Sequence, residues 1–486
     1  MAVAAAGEVP VRQPKTPTPR RKSVILAVWI AVPVIMLFLP CPAGLSPKAW
    51  TLFAFYCAAI LGSILQPFAE AAVLLITIAV YAVACDGTSI ALSGYSTSTA
   101  WLVFAASLVG RAFIETGLGS RIAFVLIDKF GRTPLGLGYV ASLTDLVISP
   151  ATPSNTARSG GIVYPIFRSI AVSLGSEPGS TAKKVGSYLS LLCNAISLTT
   201  AGIFLTASAP NLLLFSLAKS TLGVEISWGQ YALAAFPPLF LVLMLLPLLY
   251  YRLATPELKS IDNKVVAREG LQQLGPISKK EITLSILFVS ALVLWATSQW
   301  TKVDAGAVAL GFVAGVLFFR VVEWSSLLKD TSAWSTLIWY GAIISLADGL
   351  TKLGFFKWLG QMVVTHISFT GLGPATVMAL LIISSFPLRY IFASGAAYVG
   401  SMIPVYLMLS RAGGVPPTLA AVALCATFSL GCLFTHFGHG VSVVIYGGGY
   451  VTQKSWWKTG AVAGVLATLI VLALGFPWWR VIGIWR

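Results

Sequence analysis

Long apolar runs separated by short polar interruptions dominate the chain. In order, they predict spans near residues 24–40, 49–65, 68–84, 98–115 and 134–148, a broken span near 186–216, and another at 232–250. After a polar stretch, further runs fall near 282–298, 305–321, 333–350, 373–388, 416–435 and 458–476. Each supplies or approaches the ~20 residues that carry an α-helix across a hydrocarbon core. The expected fold class is an all-α polytopic membrane protein.

The interruptions carry an order of their own. Residues 253–281 form a polar linker of mixed sign, with Glu257, Lys259, Asp262, Lys264, Arg268 and Glu269, and separate a first half, 23–252, from a second, 282–486. The halves resemble one another. "AWLVFAASLVGRAFIETGLGSRIA" from Ala100 matches "AWSTLIWYGAIISLADGLTKLGFFKW" from Ala333: Ala-Trp, an apolar run, an acid-bearing turn, Leu-Gly, then a short amphipathic piece. Farther on, "TPSNTARSG" is matched by "IFASGAAYVG" and "LTASAPNLLLF" by "THFGHGVSVVIY", at offsets of about 230 to 240 residues. Internal repeats broken at matching places predict a secondary transporter with its site at the repeat interface. An odd number of spans in each half would invert one repeat relative to the other.

The sharpest interruption is "SPATPSNTARSGGIVYPI", Ser149 to Ile166. Irregular backbone in hydrocarbon is tolerated only inside protein or around a water-filled cavity. Pro150 and Pro153 each remove a donor and restrain the preceding residue away from helix, while Ser154 and Asn155 suit the start of a new one. The expected structure is a re-entrant hairpin near 145–170 with its tip at Ser154-Asn155-Thr156. Such a tip offers a positive helix end and free N–H groups to an anion, and carbonyls and hydroxyls to a small cation. A surface loop between complete spans is the competing reading.

A broken helix near 190–216 has the same character, with Pro210 interrupting an apolar run beside Thr206, Ser208 and Asn211; a Pro-kinked span without a ligand role competes. The second half places a hairpin near 375–411, with Ser394-Gly395-Ala396, and a broken helix near 416–450, with Gly438-His439-Gly440 and Ser442. Glycine there admits either a ligand or a tightly packed helix.

Charge narrows the partners. The chain carries 32 Lys and Arg against 16 Asp and Glu, yet only 10% of it is charged and 57% is hydrophobic. Basic residues cluster outside the apolar runs, at Arg20-Arg21-Lys22, Lys183-Lys184, 252–280 and 454–486. Loop cations of this kind set orientation in a lipid bilayer and place the N-terminus in the cytoplasm; they do not indicate a nucleic-acid partner. Residues 1–22, Pro-rich and nearly free of acids, read as a disordered cytoplasmic tail. Six cysteines without metal-ligand spacing read as small buried hydrophobes.

Few ionisable residues sit in apolar context: Glu70, Arg111, Glu115, Asp145, Arg158, Asp348, Arg389, His436 and His439. Such residues mark function in membranes. Arg158 and Arg389 flank the two tips, where they favour an anion or pair with Asp145 or another acid. Glu115 and Asp348 occupy matching places in the repeats and suit solvated or paired roles. With three histidines, no HExxH and no paired acids, a membrane-embedded enzyme is disfavoured. A channel would spread its polarity along a pore; here it is concentrated at the breaks.

"TPSNTARSGGIVYPI", "LTASAPNLL", "FASGAAYVGSMIPV" and "CLFTHFGHGVSVVIYGGGYVTQKSWWKTG" together resemble the divalent anion:sodium symporter family, in particular its citrate/succinate and 2-oxoglutarate/malate exchanger branch. The resemblance implies a homodimer in a bacterial inner membrane rather than a plastid envelope, built from two inverted repeats and working as an elevator-type transporter. It implies substrate carboxylates on Ser154, Asn155, Thr156 and Arg158, and on Ser394, Gly395, Ala396, His439 and Ser442. A sodium ion, the sole cofactor it brings, would lie at Ser154, Asn155 and Ala207, and Ser208, Pro210 and Asn211 match the first broken helix. The second half departs from the sodium-coupled pattern: Ser394-Gly395-Ala396 lacks the amide and the threonine, and Gly438-His439-Gly440 stands where Gly-Thr-Pro is common. The expectation is an antiporter of di- or tricarboxylates (C4-dicarboxylates, 2-oxoglutarate, citrate or tartrate). The alternative is a sodium-coupled symporter of dicarboxylate or sulfate.

Overall fold

The computed structural model describes residues 19–367, 369–392 and 394–485, and every regular element among them is helical. Among the described residues five segments are long and apolar enough to cross a membrane: Pro47–Leu65, Ser98–Thr116, Trp228–Leu253, Pro417–Phe434 and Gln453–Val481. Their starts are chemically marked. Ser46 accepts from the Ala49 amide with Pro47 in the first turn, Thr97 caps Ser98–Thr116, and Ser227 and Gln230 form a reciprocal capping box on Trp228–Leu253.

The repeat is visible in the backbone. Ser98–Thr116 ends at Gly117 with φ +75° and turns into the amphipathic Leu118–Phe130; Thr331–Lys352 runs through Leu353 to Gly354 at φ +79° and turns into Phe355–His366. Both turns need the left-handed conformation that glycine adopts without a Cβ penalty.

Two stretches depart from the sequence reading at their edges. The tail assigned to 1–22 lies mostly outside the described residues, but the first helix, Pro19–Phe38, already takes in its last four. The linker 253–281 holds a helix of its own: Asp262 caps Asn263–Leu274, which packs on Leu118–Phe130, and the next helix starts at Lys279. Asn263 Nδ2 donates to the carbonyls of Ile127 and Asp128, fastening the linker to the first half. All six cysteines are free, and Cys193, Cys425 and Cys432 are buried, but Cys85 is exposed.

The helices form two groups. Pro47–Leu65 and Glu70–Ala84 pack with Thr331–Lys352, which joins them to Ser98–Thr116, and that helix in turn packs on Ala305–Phe318. The second group contains two helical hairpins and two interrupted helices, backed by Trp228–Leu253 and Gln453–Val481. The first hairpin runs from Pro134–Ile148 through a 3-10 turn at Ser149–Ala151 to Thr156–Val163, wound as a wide π-helix, and Tyr164–Ser173. The second is Pro374–Arg389 followed by Gly395–Ala412. The interrupted helices are Gly186–Ile203 with Ala209–Leu222, and Pro417–Phe428 with Gly440–Gly447.

Candidate functional site

The first tip is tied to the first interruption. Ser208, extended at φ −152° and ψ 130°, leads into Ala209–Leu222 with Pro210 in its first turn, where a missing N–H costs nothing. The Ala209 amide donates to Pro153 O at 2.8 Å, and Thr206 Oγ1 donates to Pro150 O at 2.6 Å. Asn211 Nδ2 donates to the carbonyls of Ala201 and Phe204, at 2.6 and 3.0 Å, supplying donors that the broken helix has lost. Asn211 thus holds the interruption together, and Ser208 forms its hinge.

At the tip itself Ser154 Oγ accepts from the Ala157 amide, and buried Asn155 donates through Nδ2 to Ser197 O at 2.9 Å. Thr156 is exposed and its hydroxyl faces the second interruption: a Cβ built on Gly440 would stand 2.9 Å from Thr156 Oγ1. Only glycine lets the Gly440–Gly447 N-terminus approach the tip so closely. His439, extended at φ −151°, uses Nδ1 to accept from the Val441 amide, and Ser442 donates to Asn194 Oδ1 at 2.7 Å.

The second tip joins the same cluster. Ser394 caps Gly395–Ala412 by accepting from the Ala397 amide, and Gly395 and Ala396 are buried. A Cβ on Gly395 would lie 3.6 Å from Pro210 and 3.7 Å from His439. The starts of four helical segments, at Thr156, Ala209, Gly395 and Gly440, therefore converge, and their amide ends and dipoles make the cluster attractive to anions.

The two arginines are treated differently. Arg158 is fully buried and turned away from the tip. Its Nε meets Asp145 Oδ2 at 3.1 Å, Nη1 donates to Thr152 O and Ala207 O at 2.9 Å, and Nη2 donates to Thr200 Oγ1 at 3.1 Å. Asp145 also accepts from Ser159 and Thr200. With Nη2 also 3.5 Å from Ser197 O, this closed, neutral network leaves Arg158 no hydrogen to offer a substrate: of the two roles the sequence left open, the structure has the pairing with Asp145 and not the ligand role. The Ala207 carbonyl expected to hold sodium accepts from Arg158, so a sodium ion there would lie beside a fixed guanidinium.

Arg389 is 1% exposed but has no carboxylate partner among the described residues. Nη2 donates to Gly438 O at 3.1 Å and to Cys432 Sγ, the guanidinium lies 4.3 Å above the Tyr398 ring, and Nε and Nη1 have no hydrogen-bond partner among the described residues. Gly438 and Ala207 occupy equivalent places before the two interrupted-helix N-termini, so each half sets one guanidinium on the carbonyl at its break. Asn194, Ser197 and Thr200 escaped the sequence reading because they lie inside an unbroken apolar helix. Glu115 accepts from Ser326 at 2.7 Å and is a paired group outside the cluster.

The transmembrane-region model of the sodium:sulfate symporters matches residues 20–485. The inner membrane protein YbhI of Escherichia coli K12 is 44% identical over 95% of this chain and 98% of its own length. The L-tartrate/succinate antiporter of the same strain is 35% identical over 93% of this chain and 97% of its own. Among solved structures, the YdaH transporter of Alcanivorax borkumensis matches 96% of this chain and 100% of its own with a TM-score of 0.57 at 12% identity, a likeness of fold. The protein is a multi-pass membrane transporter and belongs to the sodium:sulfate symporter family, the divalent anion:sodium symporters.

Proposed function

We propose that the protein is a secondary active antiporter of C4-dicarboxylates, with 2-oxoglutarate, citrate or tartrate as counter-substrates. The substrate carboxylates would sit between the two tips, on Ser154, Asn155, Thr156, Ser394, Gly395, Ala396, His439 and Ser442, with Arg389 as the nearby uncompensated cation. The observation that carries the reading is the Arg158 network. Its guanidinium donates to the Thr152 and Ala207 carbonyls behind the first tip, oxygens of the kind that coordinate sodium. A guanidinium fixed there, its charge matched by Asp145, bridges those carbonyls in the place of a sodium ion, and a counter-substrate rather than a sodium gradient then resets the carrier. The likeness to the L-tartrate/succinate antiporter supports both the exchange and the substrate class.

In this reading the hairpin-bearing group is the mobile transport domain and the other group a scaffold, in a homodimer working as an elevator with the N-terminus in the cytoplasm. The grouping of helices and the basic residues before the first span support it. Sodium-coupled symport of dicarboxylate or sulfate is the second reading. Asn155 Oδ1 and Asn211 Oδ1 favour it: both are buried acceptors without a donor among the described residues, suited to a cation.

Uptake of labelled succinate into proteoliposomes decides between them. Vesicles are empty or preloaded with malate, each with and without an inward sodium gradient. Exchange predicts uptake that needs internal malate and ignores sodium; sodium-driven uptake into empty vesicles would establish the symporter.

A further inference from the structure

We propose that Glu70 is a tethered stand-in for a substrate carboxylate, holding the empty carrier to the neighbouring helix group until substrate displaces it. The inference rests on the dicarboxylate-exchange reading and supplies a reason for exchange.

Ser394 Oγ donates to Glu70 Oε1 at 3.0 Å while accepting from the Ala397 amide at 3.2 Å. A hydroxyl has one hydrogen to give. A substrate carboxylate that takes the Ser394 hydrogen must therefore remove Glu70 from it. The two carboxylates also repel, so the second tip does not hold both as anions.

Glu70 comes from outside the cluster. It is the first residue of Glu70–Ala84, which packs on Pro47–Leu65 and Thr331–Lys352, whereas Ser394 begins the outgoing arm of the second hairpin. Glu70 takes part in none of the four ion pairs among the described residues, so Ser394 is its partner and no lysine or arginine competes for it. Its place in a first helical turn keeps the displaced carboxylate favourable next to the positive end of its own helix.

The bond thus spans the two helix groups and is present only while the second tip is empty of substrate. An empty carrier is held in place; a loaded one is released. Return of the empty carrier is suppressed relative to the loaded one, which is the condition for tight exchange.

The test compares the parent with Glu70→Ala and Glu70→Gln in proteoliposomes, as the ratio of labelled succinate uptake by empty vesicles to uptake by malate-loaded vesicles. Glu70→Ala should raise that ratio about ten- to a hundredfold, the population shift expected on losing one hydrogen bond to a charged group, with loaded-vesicle exchange retained. Glu70→Gln, which keeps an acceptor but no charge, should raise it less. It carries the test where the alanine variant does not elute as a folded species. Variants with the parent's ratio would overturn the proposal and leave the exchange reading standing. A parent that takes up succinate without internal malate would remove the exchange reading, and the proposal with it.

Discussion

Tyr56 donates its hydroxyl to the backbone carbonyl of Gly400, and Gly400 stands four residues before Pro404. Proline has no N–H, so in the helix Gly395–Ala412 the Gly400 carbonyl loses the partner it would otherwise have. Tyr56, on Pro47–Leu65, replaces that donor from the other helix group. The interruption in the hairpin arm is thereby converted into a bond between groups.

Tyr56→Phe should cost about 1–3 kcal/mol, because a buried carbonyl is left without a donor. The loss is measured as a lower midpoint of thermal unfolding in detergent. Pro404→Ala restores a helical N–H to the same carbonyl. In that background Tyr56→Phe should have little further effect; equal losses with and without Pro404 would show that the tyrosine acts by packing instead.

Asp145 and Arg158 make the second test. Both side chains are fully buried and their network is closed, so removing one partner strands a charge. Asp145→Ala should destabilise the protein by about 3–5 kcal/mol, the range for breaking one side of a buried pair. Asp145→Leu with Arg158→Met replaces the pair by apolar groups of similar bulk and should recover most of that loss. Transport should not return, because the cradle at Thr152 and Ala207 then lacks its cation. Unfolding midpoints and succinate exchange, measured on the same preparations, separate the two effects.

The places where the chain breaks were legible because breaking a helix takes unusual residues. Pro150, Pro153 and Pro210, the Ser154-Asn155-Thr156 run and the glycines around His439 mark them in any apolar background. What closes those breaks was not legible. Ser197, Thr200 and Asn194 are single polar residues in a continuous helix, indistinguishable in sequence from polar side chains that bond their own backbone, as Thr199 does to Ala195. Arg158 shows the same limit. Its position beside a tip left a ligand role and a pairing with Asp145 both open, and only the fold, which sets Asp145 on the other arm of the hairpin, decides which way the guanidinium turns. Glu70 stood out as an acid in an apolar setting, yet only the fold brings it to Ser394, 324 residues away. The helix Asn263–Leu274 had a readable signal in Asp262 and the closing Gly275, masked by the charge of its surroundings.

Arg389 tests where the uncompensated charge acts. Among the described residues its Nε and Nη1 have no partner, while its Nη2 bonds the carbonyl before His439. Arg389→Gln keeps hydrogen-bonding capacity and removes the charge. It should raise the KM for succinate by about ten- to a hundredfold, since hydrogen bonds to charged groups contribute roughly 1.5–3 kcal/mol. Arg389→Lys should recover part of the affinity but lose the stacking on Tyr398. A KM unchanged in both variants would place the charge away from the substrate and assign Arg389 to the packing of the hairpin.

Asn155 separates the ligand role of the first tip from its structural one. Nδ2 donates to the Ser197 carbonyl, whereas Oδ1 is buried and has no donor among the described residues. Asn155→Ala should abolish exchange while the protein still elutes from detergent as a folded species. Asn155→Asp refines the result: its carboxylate keeps the shape and the acceptor, loses the donor to Ser197, and adds a negative charge where an anion is to bind. If Oδ1 faces a substrate anion through intervening donors, Asn155→Asp should be as inactive as Asn155→Ala under every ionic condition. If Oδ1 instead faces a cation, the aspartate should bind that cation better, and uptake should return with rising external sodium. The response of this one variant to sodium therefore reports whether the first tip is built around the anion or around its counterion.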